Sequence, residues 1–154
     1  NYLISAIRHK EGEIMEQNVP VVIVISHGFF CKELVNSVKM IFGDVDRVES
    51  LPLEEGMDPE VYENALNKLI DDNEGNVFVC ADIMGGTPFK SLAKAARTRE
   101  IYGVAGVSMP MLIEVLSNRD MYTGKELAAN VAEACKEIVV DLSEYLEKMH
   151  NLGK

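Results

Sequence analysis

His27 stands where a run of five β-branched residues, Val21 to Ile25, gives way to Ser26-His27-Gly28. An imidazole titrates near neutral pH and can act as a nucleophile, a base or a ligand. It is the only histidine in the body of the chain, since His9 and His150 lie near the termini. A second group of unusual residues follows another apolar run: Asp82-Ile83-Met84-Gly85-Gly86-Thr87-Pro88-Phe89. A carboxylate that accepts the N–H of one ring nitrogen fixes the tautomer and leaves the other nitrogen as a nucleophile. Glycines expose backbone N–H groups, and a helix led by Thr87-Pro88 presents a positive end. Together these groups suit one that becomes negatively charged on the histidine, such as a phosphoryl group. Taken singly, each residue has a plainer duty. A strand-end histidine can be a packed loop residue, Asp82 a turn former and Gly85-Gly86 a tight turn. Thr87 can be an N-cap and Met84 simple packing. Their convergence on one predicted site favours the chemical reading.

The elements that must bring these loops together alternate along the chain. Val21 to Ile25 reads as a strand buried on both faces. Cys31, Leu34, Val35, Val38, Ile41 and Phe42 form a helical stripe closed by Gly43. Val48 to Leu53 is a second strand, and Asp58-Pro59 caps and opens a helix buried through Val61, Ala65, Leu66, Leu69 and Ile70. Asn76 to Ala81 is a third strand, and Thr87-Pro88 reads as the cap and first residue of the next helix. Tyr102 to Val107 is a fourth strand, followed by a short helix from Pro110 to Leu116. Thr123 and Glu126 have the spacing of a capping box for the last helix. Helical spacing then continues through Leu127, Val131, Ala134, Ile138, Leu142, Tyr145 and Met149, although Ile138-Val139-Val140 is also strand-like. Pattern alone favours helix there.

This order predicts an α/β fold with an open, doubly wound, mainly parallel sheet and helices on both faces. With strand order 2-1-3-4, the loops after strands one and three flank the topological switch point, where ligands gather in such sheets.

Length and charge narrow the function. The 154 residues are enough for one domain with a proper core, and 47% hydrophobic with 26% charged residues is ordinary for a globular chain. A formal net charge of −10 argues against nucleic-acid binding. Cys31, Cys80 and Cys135 are far apart, with no CxxC pair, and each falls in an apolar pattern. Buried free thiols in a reducing cytoplasm are expected, with no metal site and no cofactor. No apolar stretch reaches the ~20 residues of a membrane span. Residues 1–19 are set apart as an extension or linker: Met15 could be an original start, or the segment could join a longer polypeptide. Residues 20–150 are expected to form the domain.

Three ordered motifs carry a family resemblance. These are His27-Gly28 after the first strand, Asp82 to Phe89, and Gly106-Val107-Ser108-Met109-Pro110-Met111-Leu112. Together they resemble the IIA component of the mannose family of bacterial sugar phosphotransferase systems, from about Val21 to beyond Ile138. The resemblance implies that His27 accepts a phosphoryl group through Nε2 from the histidine-containing phosphocarrier protein. The group would then pass to a histidine of the IIB component, which serves the membrane permease partners. Asp82 would orient the ring, and Thr87 would hydrogen-bond the phosphoryl oxygens. Gly28, Met84, Gly85, Gly86, Pro88, Phe89, Ser108, Met109 and Pro110 would line the phosphoryl and partner face. The resemblance also implies a homodimer that exchanges a C-terminal antiparallel strand, placing Ile138 to Leu142 in that strand. Two departures stand near the mouth: Lys90 and Ser108 occupy positions where the family commonly has asparagine.

Other classes fit less well. A histidine phosphatase needs an arginine beside its histidine and a second core histidine, whereas Ser26 holds the preceding position here. No acidic pair follows the first strand, as a receiver domain requires, and no G-x-G-x-x-G follows it either. Within the family, a phosphorylation-sensing module of a transcriptional regulator or of a dihydroxyacetone phosphorylation system is the alternative role.

Overall fold

The computed structural model describes residues 19–153, with β1 (Val21–His27) inside a four-stranded parallel sheet of order β2-β1-β3-β4. The remaining strands are β2 (Val48–Leu53), β3 (Val77–Ala81) and β4 (Tyr102–Ala105). The expected 2-1-3-4 order holds. The extension assigned to residues 1–19 lies, except for Val19, outside the described residues.

Strand β1 is central because it can be buried on both faces: Val21 to Ile25 are all at most 4% exposed. Pleating sends alternate residues to opposite layers. Val22 and Val24 join Phe78 and Cys80 against α1 (Phe30–Phe42), α4 (Met109–Asn118) and α5 (Gly124–Ala134). Val21, Ile23 and Ile25 join Val77 and Val79 against α2 (Pro59–Asp72) and α3 (Gly86–Ala95). Helices therefore cover both faces.

Several local expectations are met by the chemistry that motivated them. Asp58 caps α2 by accepting the Glu60 N–H at 2.7 Å, with Pro59 in the first turn. Gly43 ends α1 with φ 89°, a value that favours glycine. Cys31 and Cys80 are buried free thiols, while Cys135 is only half-buried.

Other expectations are corrected. Thr87 does not cap α3: Gly85 and Gly86, at φ 92° and 73°, make the turn themselves, so the helix starts one residue before Thr87. Thr123 does occupy the N-cap of α5, but its side chain makes no capping bond; Gly124 opens that helix at φ 55° and displaces the usual first-turn geometry. Strand β4 stops at Ala105, short of Val107, because the Gly106 and Val107 N–H groups both turn onto the Ala81 carbonyl at 3.0 Å. The short helix begins at Met109 and not Pro110, capped by Ser108.

The long final helix is also broken. Helix α5 ends at Ala134, residues 138–141 are non-helical, and α6 (Leu142–Leu152) restarts after Asp141. Asp141 accepts the Ser143 and Glu144 N–H groups at 2.9 and 3.2 Å, a capping arrangement that starts a new helix. Leu142, which the family resemblance places in the exchanged strand, is the first residue of α6. That helix runs to Leu152.

Strand β4 lies unusually close to β3. A Cβ at Gly103 would come within 2.0 Å of the Val79 carbonyl oxygen, so no side chain fits without separating the strands. Gly103→Ala is expected to destabilise the fold by about 1–3 kcal/mol, the range for overpacked sites. Urea unfolding checks this, and a midpoint equal to the parent's would show that the two backbones part without cost.

Candidate functional site

The carboxyl ends of β1 and β3 are adjacent, with Ile25 paired to Ala81, so the residues after each strand meet across the sheet edge. His27 is the last residue of β1, and Asp82 directly follows β3. The Asp82 N–H donates to the Ile25 carbonyl at 3.1 Å, which extends the strand pairing by one bond.

One carboxylate oxygen holds the histidine twice. Asp82 Oδ2 accepts the His27 backbone N–H at 2.9 Å and lies 2.8 Å from ring Nδ1. Oδ1 accepts the Ile83 N–H at 2.8 Å. Burial pushes the Asp82 carboxyl pKa up, but the bonds from His27 and Ile83 and the nearby imidazole outweigh it, and the net direction is down. Asp82 is therefore a carboxylate near neutral pH, and Nδ1 carries the hydrogen it receives. That tautomer leaves Nε2 with its lone pair.

Gly86 flanks the free nitrogen. A Cβ at residue 86 would lie 2.5 Å from His27 Nε2 and 2.6 Å from Cε1. Gly86 also sits at φ 73°, so glycine is required twice over, by backbone conformation and by the ring. Any larger residue would displace the imidazole or occupy the space beside Nε2.

The site is an open rim. The His27 side chain is 44% exposed, and it lines neither the cavity of about 540 Å³ nor that of about 390 Å³. The larger cavity sits at the other end of the sheet, walled by Phe42, Asp46, Arg47, Leu116 and Arg119. Exposed apolar residues follow both the histidine and the aspartate in sequence: Phe29, Phe30, Ile83 and Met84 are all between 46% and 73% exposed. Such a surface suits a macromolecular partner better than a small molecule, which usually binds in a concave site.

The structure brings His27, Gly28, Asp82, Met84, Gly85 and Gly86 to one edge. Thr87 and the buried Pro88 follow in the first turn of α3, with Phe89 beyond them on the wall of the smaller cavity. Ser108 ends the loop after β4 as the N-cap of α4, and Met109 and Pro110 open that helix; the loop is tied to the same edge through the Ala81 carbonyl. No hydrogen bond joins them to His27 among the described residues, and Ser108 Oγ instead accepts the Met111 N–H at 3.4 Å. No cluster of three or more His, Cys, Asp or Glu suited to a metal is found among the described residues. Sequence reasoning missed Phe29, Phe30 and Ile83. Their signal was apolar side chains beside the reactive residues but outside the buried stripes.

The chain is similar to several known proteins. The family described as "EIIA-man: PTS system fructose IIA component" matches residues 21–132. The fructose-specific EIIA component of the phosphotransferase system of Bacillus subtilis (strain 168) is 34% identical over 133 residues, covering 83% of this chain and 90% of that protein. The mannose-specific EIIAB component of Escherichia coli (strain K12) is 32% identical over 104 residues, which is 64% of this chain but 32% of that longer protein. In three dimensions, phosphotransferase system component EIIA from Streptococcus agalactiae matches with a TM-score of 0.73 at 27% identity, covering 80% of this chain and 97% of that one.

The Asp82 bonds have a measurable signature. Because the native carboxyl lies below its ordinary value of about 3.9, its stabilisation is complete above that pH. It is lost as pH falls through the lowered native value. Asp82→Asn is expected to cost about 1–3 kcal/mol at pH 7, as for a hydrogen-bonded charge. The gap from the parent should narrow on acidification. Urea midpoints taken from pH 7 to pH 2 check this, and a gap independent of pH would remove the carboxylate charge from the argument.

Proposed function

Since the chain belongs to the family of mannose-type IIA components of the sugar phosphotransferase system, we propose that His27 is its phosphoryl carrier residue. The observation that supports this most is the clamped imidazole, with Nδ1 on Asp82 and Nε2 beside a bare glycine at an exposed rim.

The proposed step is an in-line transfer between two imidazoles. The Nε2 lone pair of His27 attacks phosphorus on the phosphohistidine of the phosphocarrier protein. A new P–N bond forms while the old one breaks, and its electron pair returns to the carrier's ring. Nδ1 keeps its hydrogen throughout, and Asp82 stabilises the positive charge that develops on the His27 ring. The Thr87 hydroxyl bonds the phosphoryl oxygens, and the start of α3 with Gly85 and Gly86 supplies a positive environment. The reverse geometry hands the group to a histidine of the IIB component, which feeds sugar phosphorylation at the membrane permease. Gly28, Met84, Phe89, Ser108, Met109 and Pro110 form the face that receives these partners, with the buried Pro88 supporting it from below. The transfer as written uses no cofactor. No helix among the described residues is long and apolar enough to cross a membrane. We place the reaction in the cytoplasm, where carrier and acceptor meet.

Incubation with phosphoenolpyruvate, enzyme I and the phosphocarrier should load one acid-labile, base-stable phosphoryl group per chain. His27→Ala should load none, and Asp82→Asn should load slowly. Uptake by His27→Ala at the parent's stoichiometry would end the assignment.

The domain assigned to residues 20–150 works, in this reading, as a homodimer. Strand β4 is an edge of the sheet, and beside it runs the apolar cavity lined by Phe89, Leu92, Ile101 and Val104. Residues 138–141 carry no regular secondary structure, and Val139 is 92% exposed. Helix α6 buries no residue, although Leu142, Tyr145, Leu146 and Met149 form a stripe. An isolated helix of that length is marginal in water. Exchange of the segment from Ile138 onto the partner's β4 edge would cover the strand edge and its cavity in both subunits. Light scattering should report a dimer for the full chain, and truncation before Lys136 should give monomer or aggregate. A stable monomer of the full chain at micromolar concentration would overturn this.

A further inference from the structure

Ser26 is wholly buried at a strand position where its predecessors on the same face, Val22 and Val24, are core valines. A hydroxyl in such a place requires partners. Ser26 Oγ accepts the Cys31 N–H at 2.8 Å and donates to the Gly28 carbonyl at 3.1 Å. Helix α1 needs that acceptor, because Phe29 at its N-cap offers no side-chain cap. One hydroxyl therefore closes the turn that follows His27, from Gly28 at one end to the first turn of α1 at the other.

The neighbouring backbone groups are held elsewhere. The His27 N–H goes to Asp82 Oδ2, and the Gly28 N–H goes to the Leu53 carbonyl at 2.8 Å. Gly28 itself adopts φ 56°, a conformation that favours glycine. The Ser26 hydroxyl is what fixes the plane of the Gly28 carbonyl, and hence the direction in which the chain leaves the histidine. Asp82 sets the ring's tautomer. Ser26 sets the backbone on which the ring is mounted.

We propose that Ser26 is a positioning residue for His27, acting through the Gly28 carbonyl and the Cys31 amide from beneath the site. The proposal rests on the reading of His27 as the phosphoryl acceptor. Ser26→Thr and Ser26→Val have nearly the same shape and differ by the hydroxyl, so their difference isolates the two hydrogen bonds. Two readouts separate position from fold. The first is the rate of phosphoryl uptake from the phosphorylated carrier at limiting and saturating carrier. The second is the pair of ring ¹⁵N shifts of His27, which needs no carrier.

Ser26→Val should lower the maximal uptake rate about tenfold at an unchanged half-saturating carrier concentration, since small misplacements of a reacting group slow chemistry more than binding. It should also change the ratio of Nδ1–H to Nε2–H tautomer. Ser26→Thr should stay within about twofold of the parent on both measures. Parent-like rates and ring shifts in Ser26→Val would overturn the proposal, as would failure of Ser26→Thr to restore them. A Ser26→Val chain too unstable to fold would assign the hydroxyl to stability alone and overturn it equally. A parent chain that takes up no phosphoryl group defeats the functional reading instead, and the ring shifts then decide the positioning role on their own.

Discussion

The Asp82 carboxylate collects three hydrogen bonds, from the His27 amide, the His27 ring and the Ile83 amide, and so joins two strand ends that are 55 residues apart in sequence. The bonds exist only if β1 and β3 are immediate parallel neighbours in the register that sets Ile25 beside Ala81. A slip of one residue would turn the histidine to the opposite face of the sheet. The doubly buried β1 prevents that slip, because its two faces are filled by different helix layers with different side chains. Core packing thus fixes the distance between an imidazole and a carboxylate that lie outside the core.

Much of this was legible in the chain. Five consecutive β-branched residues can only be an inner strand, and the alternation of strand and helix patterns dictates a parallel sheet. Parallel order in turn places the residues after β1 and β3 at one edge, so His27 and Asp82 could be paired from sequence. The misread helix caps share one cause, which is that glycine at positive φ changes the geometry of a helix start without changing the hydrophobic pattern. Thr87 and Thr123 both looked like caps, yet Gly85-Gly86 and Gly124 place the helix starts elsewhere or turn the cap away. The break between α5 and α6 escaped because apolar residues on either side keep a common helical phase. The counter-signal was Asp141 three residues before Glu144, a polar start inside an apolar stripe.

The apolar surface divides into two kinds. Phe29, Phe30, Ile83 and Met84 are exposed next to His27 and Asp82 in the sequence, while Val139, Val140 and the stripe of α6 stay exposed on a segment that the other described residues do not cover. Sequence patterning did not separate these from core positions, because a periodic apolar residue reads the same whether its partner is in its own chain or in another molecule. Only the sheet topology shows that β4 has a free side, which no strand among the described residues covers.

The openness of the rim has a kinetic consequence. His27 offers one reactive nitrogen on one exposed face, with a glycine closing its flank. If His27 carries the phosphoryl group as proposed, a donor and an acceptor that both need that nitrogen must occupy the same ground in turn, so each complex blocks the other. Throughput then depends on how quickly a spent partner leaves, and residence time is the quantity that interface mutations alter most. A very tight docking face would stall the relay. A half-exposed imidazole among loosely packed apolar side chains favours short-lived encounters, repeated often.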